Sequence, residues 1–151
     1  MLDLGRTFLQ AVERDPASLA IVDGNRRYTY GEWALHIGAI QQFFNEKGLK
    51  SGDRILTILQ NRYEAATIHW ACQMAGVAIV PLNWRSKPDE IDYCAQNADV
   101  KLAFVEEISL NNYLESETSK SISVILCMEK ASLDGYQYFD QLIQKGAEPE
   151  A

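Results

Sequence analysis

The sequence contains few of the residues, cysteine and histidine, that several classes of functional site require. Only three of its 151 residues are cysteine (Cys72, Cys94 and Cys127), and only two are histidine (His36 and His69). The cysteines form no C-x-x-C pair, so the sequence predicts reduced thiols within the packing, not a disulfide framework or a zinc site. Neither histidine belongs to a recognisable Ser/His/Asp or Cys/His arrangement, and we expect both to be structural.

Positive charge and long apolar runs are also scarce. The 14 Lys and Arg are outnumbered by 21 Asp and Glu, and the net charge of −7 argues against a nucleic-acid partner, which needs a basic face. No apolar run approaches the roughly 18 residues that span a bilayer, and the first residues lack a signal-peptide pattern. The sequence therefore predicts a cytoplasmic protein without a transmembrane segment.

Closely spaced glycines are missing as well. The nine glycines are scattered, with no G-x-G and no G-x-x-x-x-G-K-[ST]. A loop that holds a triphosphate with its backbone N–H groups needs several glycines close together, because the backbone must approach the phosphates. The residues alone therefore assign no catalytic residue and no metal site.

The sequence does contain an alternation of strand and helix patterns. Apolar runs typical of strands buried on both faces predict strands at 55–59, 77–82, 101–105 and 122–127. Helical spacing predicts helices over 4–14, from Thr29 to Gly48, from a cap at Asn61 to Gly76, from a cap at Ser86 to about Asn97, and over 138–145. The polar segment 106–120 has only weak helical character.

Short-range signals support several of these elements. Asp23-Gly24-Asn25 predicts the turn of a hairpin near 19–30. Thr29 and Glu32 have the spacing of a capping box, in which each side chain accepts a hydrogen bond from a free backbone N–H at the helix start. Glu64 and Glu90 fall in the first turns of helices, where a negative charge interacts favourably with the positive end of the helix dipole.

Strands that alternate with helices predict βαβ units with right-handed crossovers. We therefore predict an α/β fold in three layers, a mainly parallel sheet with helices on both faces, plus the N-terminal β-hairpin. Residues 1–145 are predicted to form this domain, and residues 146–151 are predicted to be a linker to a remainder that the chain lacks.

One residue is a candidate for binding a ligand. Arg85 follows strand 77–82, at the carboxyl end where ligands gather in open α/β sheets, with Trp84 beside it and Lys87 close behind. Its guanidinium suits a phosphate, and the indole could stack on a base or shield the pair. The alternative is a loop arginine tied to a carboxylate or a carbonyl.

Four pieces of the sequence occur in a familiar order. They are Thr29-Tyr30-Gly31-Glu32-Trp33, Gly52-Asp53-Arg54-Ile55, Asn61 with Glu64, and Ala75 to Arg85 followed by Pro88-Asp89-Glu90-Ile91. These pieces resemble the "TY-x-E-L", "GDRV", "N-x-x-E" and "GAV-x-VPLN-x-R-x-x-P-x-E-L" elements of the AMP-forming acyl-CoA synthetase family, also called the AMP-binding or adenylate-forming family. Trp33 replaces the usual Leu, and the resemblance covers nearly the whole chain.

The resemblance implies that a carboxylic acid reacts with ATP to give an acyl-adenylate and pyrophosphate, followed by thioester formation with CoA. ATP, Mg and CoA would serve the intact enzyme, and none is expected to bind tightly to this chain. The Pro-Leu-Asn-Trp-Arg form looks most like ligases of fatty or aromatic acids. In CoA-forming relatives the Arg of "N-x-R" can reach the nucleotide phosphate of CoA, which implies this role for Arg85.

Other parts of the family pattern have no counterpart in this sequence: the phosphate loop, the adenine-binding motifs, the ribose-binding Asp and the C-terminal catalytic Lys. The resemblance therefore implies an N-terminal segment that is inactive alone. Its partners would be the rest of the adenylating domain and the C-terminal domain, and a homodimer is left open. Two alternatives are a stand-alone interaction or oligomerisation module derived from this fold, and an unrelated flavodoxin-like or receiver-like domain.

Overall fold

The structure is a computed structural model that describes residues 3–129 and 133–151. By its contacts the chain divides into two compact units. The first contains the described residues up to Ser51, together with Arg62–Val77 and Leu142–Ala151. The second contains Gly52–Asn61 and the described residues of Ala78–Gln141. The prediction of one domain over 1–145 with a linker at 146–151 stays a prediction.

The first unit is built from three helices and a hairpin. Helix α1 spans Leu4–Arg14, strands β1 (Leu19–Asp23) and β2 (Arg26–Thr29) pair antiparallel, and helices α2 (Tyr30–Glu46) and α3 (Tyr63–Ala75) follow. The predicted capping box of α2 is confirmed, because Glu32 N–H donates to Thr29 Oγ1 at 3.2 Å and Thr29 N–H donates to Glu32 Oε2 at 2.8 Å.

Helices α2 and α3 pack together in this unit. The apolar stripe predicted along α2 is buried, and it consists of Trp33, Ile37, Ile40 and Phe44. The Trp33 indole N–H donates to Thr67 Oγ1 of α3 at 2.9 Å. Burying each such side chain contributes roughly 1.5–3 kcal/mol, so this stripe is the main source of stability for α2.

The last residues of the chain also contact α2. Ala147 N–H donates to the Leu35 carbonyl at 3.0 Å, and Glu150 N–H donates to Gln41 Oε1 at 2.9 Å. Gly38 faces this segment, and a Cβ atom at that position would overlap the Ala147 carbonyl. The segment can therefore approach α2 this closely only because residue 38 is a glycine, which has no side chain.

The second unit contains a five-stranded sheet whose order is β4-β3-β5-β6-β7 and whose pairs are all parallel. Its strands are β3 (Arg54–Ile58), β4 (Ala78–Pro81), β5 (Ala103–Val105), β6 (Val124–Leu126) and β7 (Gln137–Tyr138). Its helices are α4 (Pro88–Ala98) and α5 (Glu107–Glu115), followed by a 3₁₀ turn at Thr118–Lys120. Helix α6 (Phe139–Ile143) begins directly after β7. The central strands are apolar because both of their faces are covered, and Leu56, Ile58, Val105 and Leu126 are all fully buried.

The predicted α/β fold with a parallel sheet and a hairpin is confirmed, and strands 55–59 and 77–82 are parallel neighbours as expected. Strand β7 was not predicted, and the helix expected over 138–145 is shorter. A two-residue strand has no periodic signal, so it cannot be recognised before its pairing partner is known. The weakly helical segment 106–120 contains α5.

Two predicted caps are wrong by one residue, because Arg62 and Lys87 occupy the N-cap positions of α3 and α4. No helix in the described part of the chain is long and apolar enough to cross a membrane.

Candidate functional site

The residues after β4 form a tight turn from Asn83 to Ser86. Ser86 N–H donates to the Asn83 carbonyl at 2.9 Å, and Arg85 N–H donates to Asn83 Oδ1 at 2.9 Å. The side-chain amide of Asn112, on α5, donates to the Ser86 carbonyl at 3.0 Å. Asn83 thus shapes the turn, as asparagine commonly does, and Asn112 fastens its far end to a helix.

The turn presents Arg85 and Trp84 at the carboxyl end of β4. Arg85 is exposed, and its guanidinium carbon lies 3.9 Å from the centre of the Trp84 ring. Within the described residues, no carboxylate or carbonyl is bonded to the Arg85 side chain. The alternative of a loop arginine tied to a carboxylate or carbonyl therefore finds no support among the described residues.

Along the chain, the strand that follows β3 is placed on one side of β3, and all later strands are placed on the other side. The chain passes from β3 to β4 on one side, returns across β3 to β5, and continues to β6 and β7. In open parallel sheets such a reversal leaves a crevice outside the carboxyl ends of the two diverging strands, here β3 and β5. Gln60 follows β3 and Glu106 follows β5 at this point.

Glu106 is buried and joins these two strand ends. Its carboxylate accepts hydrogen bonds from the backbone N–H of Gln60 and from the Gln60 side-chain amide, the latter at 3.2 Å. Ser109 completes the connection, because its Oγ accepts from Glu106 N–H at 3.1 Å and donates to the Ile58 carbonyl at 2.7 Å. This network is hydrogen-bonded throughout, and it holds the carboxyl ends of β3 and β5 together.

A second polar cluster lies in the first unit, where the hairpin meets α3. The Asp23 carboxylate accepts a hydrogen bond from Tyr63 N–H at 2.8 Å and so caps α3 from the hairpin turn. The Tyr63 hydroxyl is hydrogen-bonded to His36 Nδ1, and the Tyr28 ring meets the His36 ring edge-on at 4.7 Å. Burial raises the pKa of Tyr63 above its usual value. The His36 ring is therefore held between Tyr63 and Tyr28, and its structural role stays a prediction.

Glu64 is buried between two arginines. Arg26 Nη1 lies 2.7 Å from Glu64 Oε1, and Arg62 Nε lies 2.8 Å from Glu64 Oε2. Burial alone would raise the pKa of Glu64, but hydrogen bonds from Arg62 and Arg26 outweigh it and hold the pKa below its usual value. Besides its place in the first turn of α3, which the sequence suggested, Glu64 thus ties β2 to α3 through Arg26.

The remaining candidates from the sequence do not form a reactive site. His69 is exposed and meets only the edge of Trp70 among ring contacts, and the three cysteines are free thiols. Burial raises the pKa of Cys72 far above the usual thiol value, which suppresses the reactive thiolate. Over residues 3–129 and 133–151, no three His, Cys, Asp or Glu side chains are grouped so that they could hold a metal ion.

A sequence model of the AMP-binding enzyme family matches residues 8–150. The chain belongs to this family. The Thr29–Trp33, Gly52–Ile55 and Ala75–Arg85 elements all lie inside the matched region, which explains why they occur in the family order.

Similar curated proteins include acyl-CoA ligases. The chain is 29% identical over 107 residues to 4-hydroxybutyrate–CoA ligase 2 of Metallosphaera sedula, covering 71% of this chain and 20% of that protein. It is 25% identical over 131 residues to a medium/long-chain-fatty-acid–CoA/3-oxocholest-4-en-26-oate–CoA ligase of Mycolicibacterium smegmatis, covering 85% of this chain and 24% of that protein. The chain thus spans a quarter or less of the length of these two relatives.

Solved structures show the same fold. A benzoate CoA ligase from Burkholderia xenovorans superposes with a TM-score of 0.85 at 18% identity, over 100% of this chain and 30% of the ligase. The N-terminal domain of FACL13 from Mycobacterium tuberculosis superposes with a TM-score of 0.83 at 16% identity, over 100% of this chain and 38% of that chain. The likeness to these two structures confirms the fold class that the sequence predicted.

Sequence reasoning found Arg85 and Trp84 but missed Glu106 and the double ion pair of Glu64. The sequence carried one usable signal for Glu106, a charged residue directly after the apolar run 101–105 with a serine three positions later. Arg62 is two residues from Glu64, but the second partner, Arg26, lies 38 residues away, so the shared ion pair has no local signal.

Proposed function

We propose that this chain is the N-terminal part of an ATP-dependent acyl-CoA synthetase, which converts a carboxylic acid, ATP and CoA into acyl-CoA, AMP and pyrophosphate. The observation that carries the proposal is the family match over residues 8–150, together with relatives that are named as CoA ligases. The named substrates of those relatives are 4-hydroxybutyrate, medium- or long-chain fatty acids and 3-oxocholest-4-en-26-oate. The Pro-Leu-Asn-Trp-Arg form resembles ligases of fatty or aromatic acids, so a fatty or aromatic acid is the substrate class that we propose. The enzyme would act in the cytoplasm.

ATP and Mg would be bound mainly outside this chain. Its described residues offer no grouped carboxylates for a metal ion, and its sequence has no glycine-rich phosphate loop. Such a chain cannot stabilise the negative charge that develops as pyrophosphate leaves. The remainder of the adenylating domain and the C-terminal domain are therefore its proposed partners, and no nucleic acid is among them.

The isolated 151-residue chain should accordingly not adenylate any acid. The test measures pyrophosphate release from ATP with panels of fatty and aromatic acids, first by the isolated chain and then by the complete gene product. The proposal expects release by the complete gene product only. Release by the isolated chain above a heat-treated sample would refute its inactivity, and a gene product without any acid-dependent release would refute the synthetase.

We propose that CoA contacts this chain through Arg85, which would bind its nucleotide phosphate. Arg85 is exposed and follows a strand of the parallel sheet. A charge-assisted hydrogen bond contributes about 1.5–3 kcal/mol. Arg85→Ala in the complete gene product should therefore raise the KM for CoA about ten- to a hundredfold.

Acid-dependent ATP–pyrophosphate exchange should stay near the wild-type rate in Arg85→Ala, since CoA takes no part in adenylation. Arg27→Ala removes another exposed arginine, on β2, and is the matched control with an unchanged KM for CoA. An unchanged KM for CoA in Arg85→Ala would contradict the proposed contact. So would an exchange rate that falls by the same factor as the rate of thioester formation. Either result would assign Arg85 a structural role.

The stand-alone interaction module remains the alternative function. It predicts that the complete gene product contains no phosphate loop and that the purified chain self-associates or captures a partner without turnover. Sequencing the gene beyond Ala151 separates the two, because a Ser/Thr/Gly-rich loop with a lysine is required by the synthetase alone.

A further inference from the structure

The Arg85 backbone and the Arg85 side chain are held by different neighbours. Asn83 Oδ1 accepts the Arg85 N–H at 2.9 Å, and the Ser86 carbonyl is bonded to Asn112, so the backbone is fixed on both sides. The side chain, in contrast, is exposed and has several rotatable bonds. The contact that restrains it is the Trp84 ring, whose centre lies 3.9 Å from the guanidinium carbon.

The separation of 3.9 Å corresponds to a guanidinium in direct contact with the ring, well inside the roughly 6 Å limit for a cation–π interaction. Trp84 is itself half-buried, so the ring has a preferred place on the turn. An arginine held against such a surface loses less conformational freedom when it binds a phosphate than one that moves freely.

We propose that Trp84 is a positioning residue: its ring holds the Arg85 guanidinium in place on the 83–86 turn, ready for the CoA phosphate. This inference rests on the proposed function of Arg85. It differs from the role that the sequence first suggested for the indole, stacking on a base of the ligand, because here Trp84 acts through Arg85.

The first test measures the arginine side chain directly in the 151-residue chain. Nitrogen-15 relaxation at Arg85 Nε should give an order parameter above about 0.6 in the wild type and a lower value in Trp84→Leu. Trp84→Phe keeps an aromatic face and should restore most of the order. Equal Arg85 relaxation in the wild type and Trp84→Leu would overturn the proposal, whatever the function of the chain.

The second test measures the KM for CoA in the complete gene product. A cation–π contact at an exposed site corresponds to about a two- to fivefold effect, so Trp84→Leu should raise this KM about two- to fivefold, and Trp84→Phe less. ATP–pyrophosphate exchange should not change, which separates positioning of Arg85 from general damage to the fold.

The double variant Trp84→Leu/Arg85→Ala decides between positioning and independent stacking on CoA. If Trp84 acts through Arg85, the double variant should have the same KM for CoA as Arg85→Ala alone. If the two substitutions instead multiply their effects on the KM for CoA, the positioning role is refuted and Trp84 has its own contact with the ligand. If Arg85→Ala itself leaves the KM unchanged, the proposed CoA contact fails, while the relaxation experiment still decides whether Trp84 holds the side chain.

Discussion

Replacing Gly38 with alanine should have opposite effects on stability in two versions of the chain. In the middle of a helix such as α2, alanine is favoured over glycine by about 0.5–1 kcal/mol. The new Cβ atom would, however, overlap the Ala147 carbonyl and lie 2.8 Å from the carbonyl carbon of Glu148. These are backbone atoms, so the strain cannot be relieved by rotating a side chain.

The C-terminal segment would have to move away from α2 in this variant. It would lose the hydrogen bond from Ala147 N–H to the Leu35 carbonyl and the two hydrogen bonds that join Gln41 to the Glu150 backbone, each contributing about 1 kcal/mol. A loss of about 3 kcal/mol against a gain of about 0.5–1 kcal/mol leaves Gly38→Ala about 2–2.5 kcal/mol less stable than the wild type. In a chain that ends at Lys145, the same substitution should add about 0.5–1 kcal/mol, because nothing opposes the alanine.

Urea unfolding followed by circular dichroism gives the free energy of unfolding for all four proteins. The truncated pair is the internal control for helix propensity. If Gly38→Ala stabilises both versions equally, residues 146–151 do not pack on α2, and the contact of this segment would have to be abandoned.

Two further predictions concern buried groups. Glu64→Gln should lower the free energy of unfolding by about 1–3 kcal/mol at pH 7, since it removes a buried charge shared by two arginines. The folded-state pKa of Glu64 is lowered, so its contribution is present above the unfolded pKa of about 4.3 and is lost as pH falls through the folded pKa. Unfolding of both proteins between pH 7 and 3 checks this, and a gap that does not shrink in acid would contradict it. Iodoacetamide should alkylate the half-buried Cys94 first in the native chain, whereas the buried Cys72 and Cys127 should react only on unfolding. Mass spectrometry of the digested protein gives the order in which the three thiols are labelled. Early labelling of Cys72 would disprove its burial.

The elements that could be predicted are those with a strong local signal. The apolar runs of β3 to β6 and the capping box of α2 are contained in a few neighbouring residues, so no tertiary information was needed. At α4 the Lys87 N–H donates to Glu90 Oε2 at 2.8 Å, so this helix begins one residue later than a cap at Ser86 would place it. The cap at Asn61 was misplaced because the N-terminus of α3 is satisfied by Asp23, which the hairpin brings in from 40 residues away. Local propensity cannot identify a cap that another element supplies.

The residues of the candidate site also divide into those that local sequence signals predict and those that they do not. Trp84 and Arg85 are adjacent in the sequence and follow a recognisable strand, so their place at the end of β4 could be predicted. Glu106 could not be linked to Gln60, because their contact exists only once β3 and β5 are neighbours in the sheet. The order of strands across a sheet is decided by crossover connections, which residue patterns do not encode individually.

The packing of α2 on α3 also has a consequence during synthesis. The two helices are neighbours in the first unit, but β3 and its flanking loops lie between them in the chain. At 5–20 residues per second, a ribosome needs roughly 1.5–6 seconds to go from the end of α2 to the end of α3. During this interval α2 lacks the helix on which it packs, and Trp33 lacks its hydrogen-bond partner Thr67. The nascent chain therefore displays an apolar helical face to chaperones before its first unit can close.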